Sequence, residues 1–270
     1  MNEEEATSFG SVADSYDRVR PGPAAAALDW LVPAGCEVAV DLAAGTGLFT
    51  RALLGRAARV VAVEPDARMR AVLARRSPGV DVRAGRGEAM PLPDGSAAAV
   101  FVSTAWHWLD LPRAVPEIAR VLRPGGRLGV IWTSRDRNED WVAELDLVRL
   151  DGTGGAGRPG SLAEVRAALD RHHAVLLPAG SPFGGAQTAS FGFTKTMPVD
   201  DVLAWLATNS ALITAPAASR EAGLRRSRDV LLSRAGSESL IEMPLRSWCW
   251  RADRSLRRAV LVSAPDTAGV

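Results

Sequence analysis

Short apolar runs alternate with helix-like stretches along the first half of the chain. Residues 22–31 have helical periodicity, and Val38–Leu42 is an apolar run that ends at a cluster of small residues and leads into a second helical stretch reaching Leu54. The same unit then recurs. Val60–Val63 predicts a strand, Asp66–Arg76 a helix, Val80–Arg83 and Ala98–Ser103 two further strands, and Arg113–Leu122 a helix stopped by Pro124-Gly125-Gly126. Leu128–Trp132 predicts a fifth strand. Strands separated by helical crossovers pair in parallel and are covered on both faces, which explains why they are continuously apolar.

After Trp132 the rhythm changes. Trp141–Leu150 and Leu162–His172 are helical, with the Gly-rich Asp151–Gly160 between them, and residues 137–185 make a candidate lid insertion. Thr188–Thr196 and Ser239–Trp250 alternate as strands, with helices at Val199–Leu206 and Arg220–Ser233. The expected fold is therefore α/β, a doubly wound, mostly parallel, seven-stranded Rossmann-like sheet with an antiparallel edge and a lid. One domain is expected over residues 1–254, with residues 1–30 as an N-terminal cap segment and 255–270 as a tail.

Composition narrows the function classes. The chain has 270 residues, 47% of them hydrophobic, and a net charge of +1. Its basic residues are almost all Arg, scattered as short pairs rather than gathered into a run that would neutralise a phosphate backbone, so no nucleic-acid partner is expected. The acidic opening Met1-Asn2-Glu3-Glu4-Glu5 is unlike a signal peptide, and no apolar run reaches the roughly 20 residues needed to cross a bilayer. The expectation is a cytoplasmic protein, monomer or homodimer, without a membrane partner. Cys36 and Cys249 are read as buried reduced thiols, and no metal site is expected.

Candidate chemistry begins at Val38-Ala39-Val40-Asp41-Leu42-Ala43-Ala44-Gly45-Thr46-Gly47. A strand ending in a carboxylate, followed by small residues that let backbone amides approach a ligand, suits an adenosine-bearing molecule. The dinucleotide fingerprint competes for this pattern but lacks its third glycine at Thr50. The partner motif is Val61-Ala62-Val63-Glu64-Pro65-Asp66, which places Glu64 at the tip of the second strand, where a carboxylate accepts hydrogen bonds from vicinal ribose hydroxyls. Met69, just beyond Glu64, is either a soft platform for the adenine ring or a core methionine.

These segments, together with Gly85-Arg86-Gly87-Glu88-Ala89-Met90-Pro91-Leu92-Pro93, Trp106-His107-Trp108 and Arg120-Val121-Leu122-Arg123-Pro124-Gly125-Gly126, resemble in order and spacing the class I S-adenosylmethionine methyltransferases. The narrower resemblance is to the small-molecule branch known as methyltransferase domain 11, trans-aconitate-methyltransferase-like proteins included. It covers about residues 9–135.

The resemblance implies S-adenosylmethionine as cofactor. It puts Asp41, Ala43 and the Gly45–Gly47 turn at the methionine moiety, Glu64 at the ribose hydroxyls and the backbone of Gly87 and Glu88 at the adenine edge, with Pro65, Arg86 and Thr104 as further cofactor-binding candidates. The opening segment Phe9–Pro21 also resembles the family's, which makes Tyr16 a candidate for the active-site roof and Arg20 one for the cofactor carboxylate. Two departures stand out. Ala43 replaces the first glycine of the acidic-x-Gly-x-Gly-x-Gly pattern, and Arg86 replaces the acid that receives the adenine amino group.

On the acceptor side, His107 is the candidate base or pocket-shaping residue, and Tyr16 the other catalytic candidate. Trp106, Trp108, Trp132 and Trp141 are expected around the crevice mouth, and Trp248 and Trp250 in the core. His172 and His173, pointing about 100° apart on a helix, are assigned to the lid. Three readings follow: methyl transfer to a small molecule, aromatic or a secondary metabolite; a cofactor-binding protein of this fold catalysing another reaction such as cyclisation; and a non-enzymatic binding protein, which has no need of a ribose clamp.

Overall fold

The structure is a computed structural model, which describes residues 17–150, 159–213, 215–236 and 238–256. Tyr16, most of the Gly-rich stretch 151–160 and the tail beyond Leu256 lie outside the described residues.

The first half follows the expected alternation. Its elements are α1 (Ala25–Leu31), β1 (Val38–Leu42), α2 (Leu48–Leu53), β2 (Arg59–Glu64), α3 (Ala67–Arg76), β3 (Asp81–Ala84), β4 (Ala97–Ser103), a 3₁₀ turn (Trp106–Trp108), α4 (Leu111–Val121) and β5 (Leu122–Arg135). The second half comprises α5 (Asp140–Leu150), α6 (Leu162–His172), β6 (Phe183–Pro198), α7 (Val199–Ala207), α8 (Ser210–Ile213), α9 (Ala217–Leu232) and β7 (Leu240–Arg254). Local chemistry sets several boundaries. Asp66 caps α3 by accepting from the amides of Arg68 and Met69, and Ser161 caps α6 by accepting from the Glu164 amide.

All strands join one seven-stranded sheet in the order β3-β2-β1-β4-β5-β7-β6. β1 to β5 pair in parallel, whereas β7 is inserted antiparallel between β5 and β6. Alternate side chains feed two layers. Val40, Leu42, Val100, Val102, Leu128 and Val130 belong to one core cluster, and Ala39, Ala99, Phe101 and Ile131 to the other. A third cluster joins α5, α7 and α9 to β6 and β7 through Val142, Leu145, Val202, Leu206, Leu231, Met197 and Met243.

Some elements depart from the sequence expectation. Pro124-Gly125-Gly126 does not separate a helix from a later strand: α4 ends at Val121, and β5 starts at Leu122 with a register shift before Arg127. β6 reaches Phe183 and Pro198, beyond the expected Thr188–Thr196, because β7 pairs with it almost throughout. The short α8 has no counterpart in the sequence reading. Cys36 and Cys249 are both buried and free, and among the described residues no helix is long and apolar enough to cross a membrane.

Candidate active site

Strand order reverses between β1 and β4, since β2 and β3 lie on one side of β1 and β4 and β5 on the other. The chain leaves neighbouring strands in opposite directions there, which opens a crevice at their carboxyl ends. Ala43, Gly45 and Thr46 after β1, Ser103 and Thr104 at the end of β4, and Arg20 line a cavity in this crevice.

The backbone is strained on both sides of it. Ala43 has φ 56° and Thr104 φ 57°, left-handed conformations that a Cβ disfavours by roughly 1–2 kcal/mol. Such strain persists where the surrounding structure dictates it, and it gathers at functional sites. Gly45 and Gly47 share the left-handed conformation at φ 58° and 87°. A Cβ added at Gly45 would meet nothing within 4 Å, so the space over this turn is open to a ligand and a side chain would begin to fill it. A Cβ at Gly47 would instead stand 2.9 Å from Leu73, so its role is packing against α3.

Glu64 joins the two motifs. One carboxylate oxygen accepts from the Gly45 amide and the other from the Asp66 amide, both at 2.8 Å. The side chain is fixed at the tip of β2 beside the turn rather than exposed as an ordinary surface acid. Burial pushes its carboxyl above the ordinary value, opposed by those two amides.

Asp41 lies deeper, fully buried under the turn. Thr50 on α2 donates to one of its oxygens at 2.6 Å, and its other oxygen has no partner. Burial pushes the carboxyl up to about 7, with the Thr50 bond opposing and the Glu64 charge adding to the shift. Asp41 therefore braces the turn from beneath. The buried Thr46 hydroxyl likewise has no partner.

Around the rim, Arg20 donates from Nε and Nη2 to the hydroxyl and carbonyl of Thr208, both at 3.2 Å. Met69 is buried beside Val72. Pro65 is exposed, and its carbonyl accepts from Arg70 Nη1 at 2.6 Å. Arg86 is exposed, and its carbonyl accepts from the Ala89 amide in a tight turn that buries Gly87. A Cβ at Gly87 would stand 2.8 Å from the tip of the Leu109 side chain, which would have to shift to admit it. Glu88 accepts from the Asp110 amide at 2.9 Å, at the start of α4, a role for which no sequence signal was read.

The aromatic residues separate. Trp106 is a core residue, and Trp141 lies at a different pocket with Arg234, Leu240 and Glu242, so neither belongs to the crevice mouth. His107 is half-buried, with its ring centroid 4.8 Å from that of Trp108. Trp132 does line the crevice, in a second cavity that shares Arg20, Thr104 and Thr133 with the first. Trp250 is in the core as expected, but Trp248 is not. It pairs across the sheet with Trp132, and the His173 ring packs on both, with centroids 5.2 Å from Trp132 and 4.5 Å from Trp248. Only the register of β5 on β7 brings these rings together, so sequence spacing held no signal for it.

The methyltransferase-domain family model matches residues 40–130. A Mycobacterium tuberculosis protein named as an uncharacterized methyltransferase is 39% identical over 248 residues, 91% of this chain and 95% of that one. A methyltransferase-like protein of Schizosaccharomyces pombe is 31% identical over 196 residues, 71% of this chain and 72% of its own. Among solved structures, one from Anaeromyxobacter dehalogenans described as a type II methyltransferase superposes with a TM-score of 0.66 at 24% identity, covering 88% of this chain and 99% of that one, a likeness of fold.

Proposed function

Because the chain belongs to the class I S-adenosylmethionine-dependent methyltransferase family, we propose that it uses this cofactor to methylate a small-molecule acceptor. The observation that carries this reading is the Glu64 carboxylate clamped to the Gly45 amide beside an open turn at the sheet's switch point. S-adenosylmethionine supplies an electrophilic methyl group on a sulfonium, so the reaction is an in-line displacement in which charge disappears.

The residues then divide by location. Ala43, Gly45 and Gly47 form the turn that receives the methionine moiety, with Asp41 bracing it, and Arg20 is the cation for the carboxylate. Glu64 keeps unused lone pairs on both oxygens to accept from ribose hydroxyls, and Pro65 with Met69 borders the adenine. Arg86 brings no acceptor to the adenine amino group, so the backbone of Gly87 and Glu88 carries that edge. Thr104 stands on the wall shared by the two cavities, between cofactor and acceptor. Tyr16 and His107 remain the acceptor-side candidates. With the acceptor held close to the methyl group and water excluded, positioning alone supplies much of the rate, and no proton transfer by His107 is required.

Calorimetry tests the reading. S-adenosylhomocysteine is expected to bind in the micromolar range (about −8 kcal/mol) and NAD not to bind. Glu64→Ala, checked for folding by circular dichroism, is expected to weaken S-adenosylhomocysteine by roughly 2–4 kcal/mol, about 30- to 1,000-fold. Tight NAD binding with no heat from S-adenosylhomocysteine would overturn the assignment.

A further inference from the structure

The cavity holding Trp132 also contains a cationic wall. Arg135 and Arg137, at the end of β5 and just beyond it, line it beside Trp205 and Asn209. Behind them Asp146 on α5 is the shared acid. It accepts from Arg135 Nη2 at 2.7 Å and from Arg149 Nε and Nη2 at 3.1 and 2.9 Å, and it also accepts from Arg137 Nε. Asp136, the acid between Arg135 and Arg137 in sequence, is occupied by Arg246 at 2.8 Å. Three guanidinium groups therefore share one carboxylate, and the cluster retains about two positive charges in a place where water is scarce.

Burial makes that excess costly. The side chains of Arg135, Arg149 and Asp146 are 6%, 4% and 5% exposed. Charges removed from water need compensation, and beyond the Trp205 ring 4.9 Å from the Arg135 guanidinium, two buried arginines and a half-buried third on one acid leave charge that core stability alone does not call for. Two donors on residues that line the cavity are also unused. Arg135 Nε and the indole Nε1 of Trp132, itself 2% exposed, are both buried without a hydrogen-bond partner. Each is a donor with no acceptor role, so the complement of both is an acceptor-only group carrying negative charge.

Next to this wall lies an apolar compartment. Trp132 and His173 line it from the same positions, and Trp248, Trp250, Thr188 and Ser190 complete a cavity of about 350 Å³. A planar apolar body fits between such rings, since offset and tilted aromatic contacts add to the area buried.

We propose that the acceptor is an aromatic or planar apolar molecule carrying an oxyanion, a carboxylate or a phosphate, bound with its charged group against Arg135, Arg137 and the Trp132 indole and its ring against His173 and Trp248. This rests on the methyltransferase reading of the crevice and deepens it, because the two cavities share Arg20, Thr104 and Thr133 and so place the anion one wall away from the cofactor turn.

The test uses the full chain saturated with S-adenosylhomocysteine and three matched probes titrated calorimetrically: phenylacetate, phenylacetamide and phenyl phosphate. At least one anion is expected to bind ten-fold or more tighter than the amide, and which one does so separates carboxylate from phosphate recognition. Arg137 is the more accessible member of the cluster at 13% side-chain exposure, so Arg137→Gln is the variant of choice. It is expected to cut the anion preference to three-fold or less while leaving S-adenosylhomocysteine affinity and phenylacetamide affinity within two-fold. Trp248→Ala is expected to weaken all the probes together. Equal binding of anions and amide by the unaltered chain, or no binding of any probe at millimolar concentration, overturns the proposal. An S-adenosylhomocysteine titration without heat instead overturns the reading on which it rests.

Discussion

Asp41 shows how one residue links cofactor turn, stability and pH. In the unfolded chain its carboxyl titrates near 3.9, whereas burial in the fold pushes it up to about 7. Between those values the folded state holds a proton that the unfolded state has released, so this group makes stability fall as pH rises through the window. One proton of difference corresponds to a slope of about 1.4 kcal/mol per pH unit. Asp41→Asn keeps an acceptor for the Thr50 hydroxyl but has no proton to lose. Urea unfolding at about pH 5 and about pH 7 should therefore show the wild type losing more stability than the variant, by roughly one to three kcal/mol. Equal losses in the two proteins would mean that Asp41 is already ionised in the fold.

At the scale of elements, the turn after β1 is the informative unit. Ala43 stands where the family pattern has glycine, and it still adopts φ 56°, so the conformation is imposed by the β1-to-α2 connection rather than chosen by the residue. Replacing an alanine by glycine ordinarily costs about 0.5–1 kcal/mol through the freer unfolded chain. At Ala43 the relieved strain of roughly 1–2 kcal/mol offsets that cost. Ala43→Gly is expected to leave stability unchanged or raise it by up to about 1 kcal/mol, whereas Ala39→Gly, in the buried strand before it, should destabilise. A loss at Ala43 as large as at Ala39 would show that the strain is absent.

Much of this level could be read from the sequence. The apolar runs of β1, β2 and β4 and the acids at Asp41 and Glu64 carry their own signals, because parallel strands are buried on both faces and ligand-facing acids fall at strand tips. What escaped depends on pairing between distant segments. Pro124-Gly125-Gly126 looks like an end, yet β4 pairs with Leu122 before it and, like β7, with β5 from Arg127 onward, so the motif sits in an irregularity inside one strand. Trp248 alternates with Trp250 as a core residue would, and only its register opposite Trp132 shows that it faces a cavity. The arginine cluster escaped for the same reason: Arg149 meets Asp146 one helical turn away on α5, but Arg135 and Arg137 reach that acid only through the fold of α5 back onto β5.

At the scale of the whole molecule, β7 determines whether the late elements behave as an appendage or as part of the parallel core. It lies between β5 and β6 and supplies all three clusters: Trp250 and Ala252 to one layer, Cys249 to the other, and Ile241, Met243 and Leu245 to the helical end. No interface therefore exists along which the two halves can separate without uncovering the β5 edge, whose backbone groups would lose their partners. The whole chain is expected to unfold as one unit, although its length exceeds that of most two-state domains. Met243 is fully buried at the far end of β7, and Met243→Ala should cost about 2–5 kcal/mol. The diagnostic feature is where that loss is seen. Far-ultraviolet circular dichroism and tryptophan fluorescence should both shift to the same lower midpoint, although Met243 lies outside the cofactor crevice. S-adenosylhomocysteine at about 100 times its dissociation constant should restore about 2.7 kcal/mol to both signals together. Two separated transitions, with ligand protecting only one, would show that β7 fails to couple the helical end to the site.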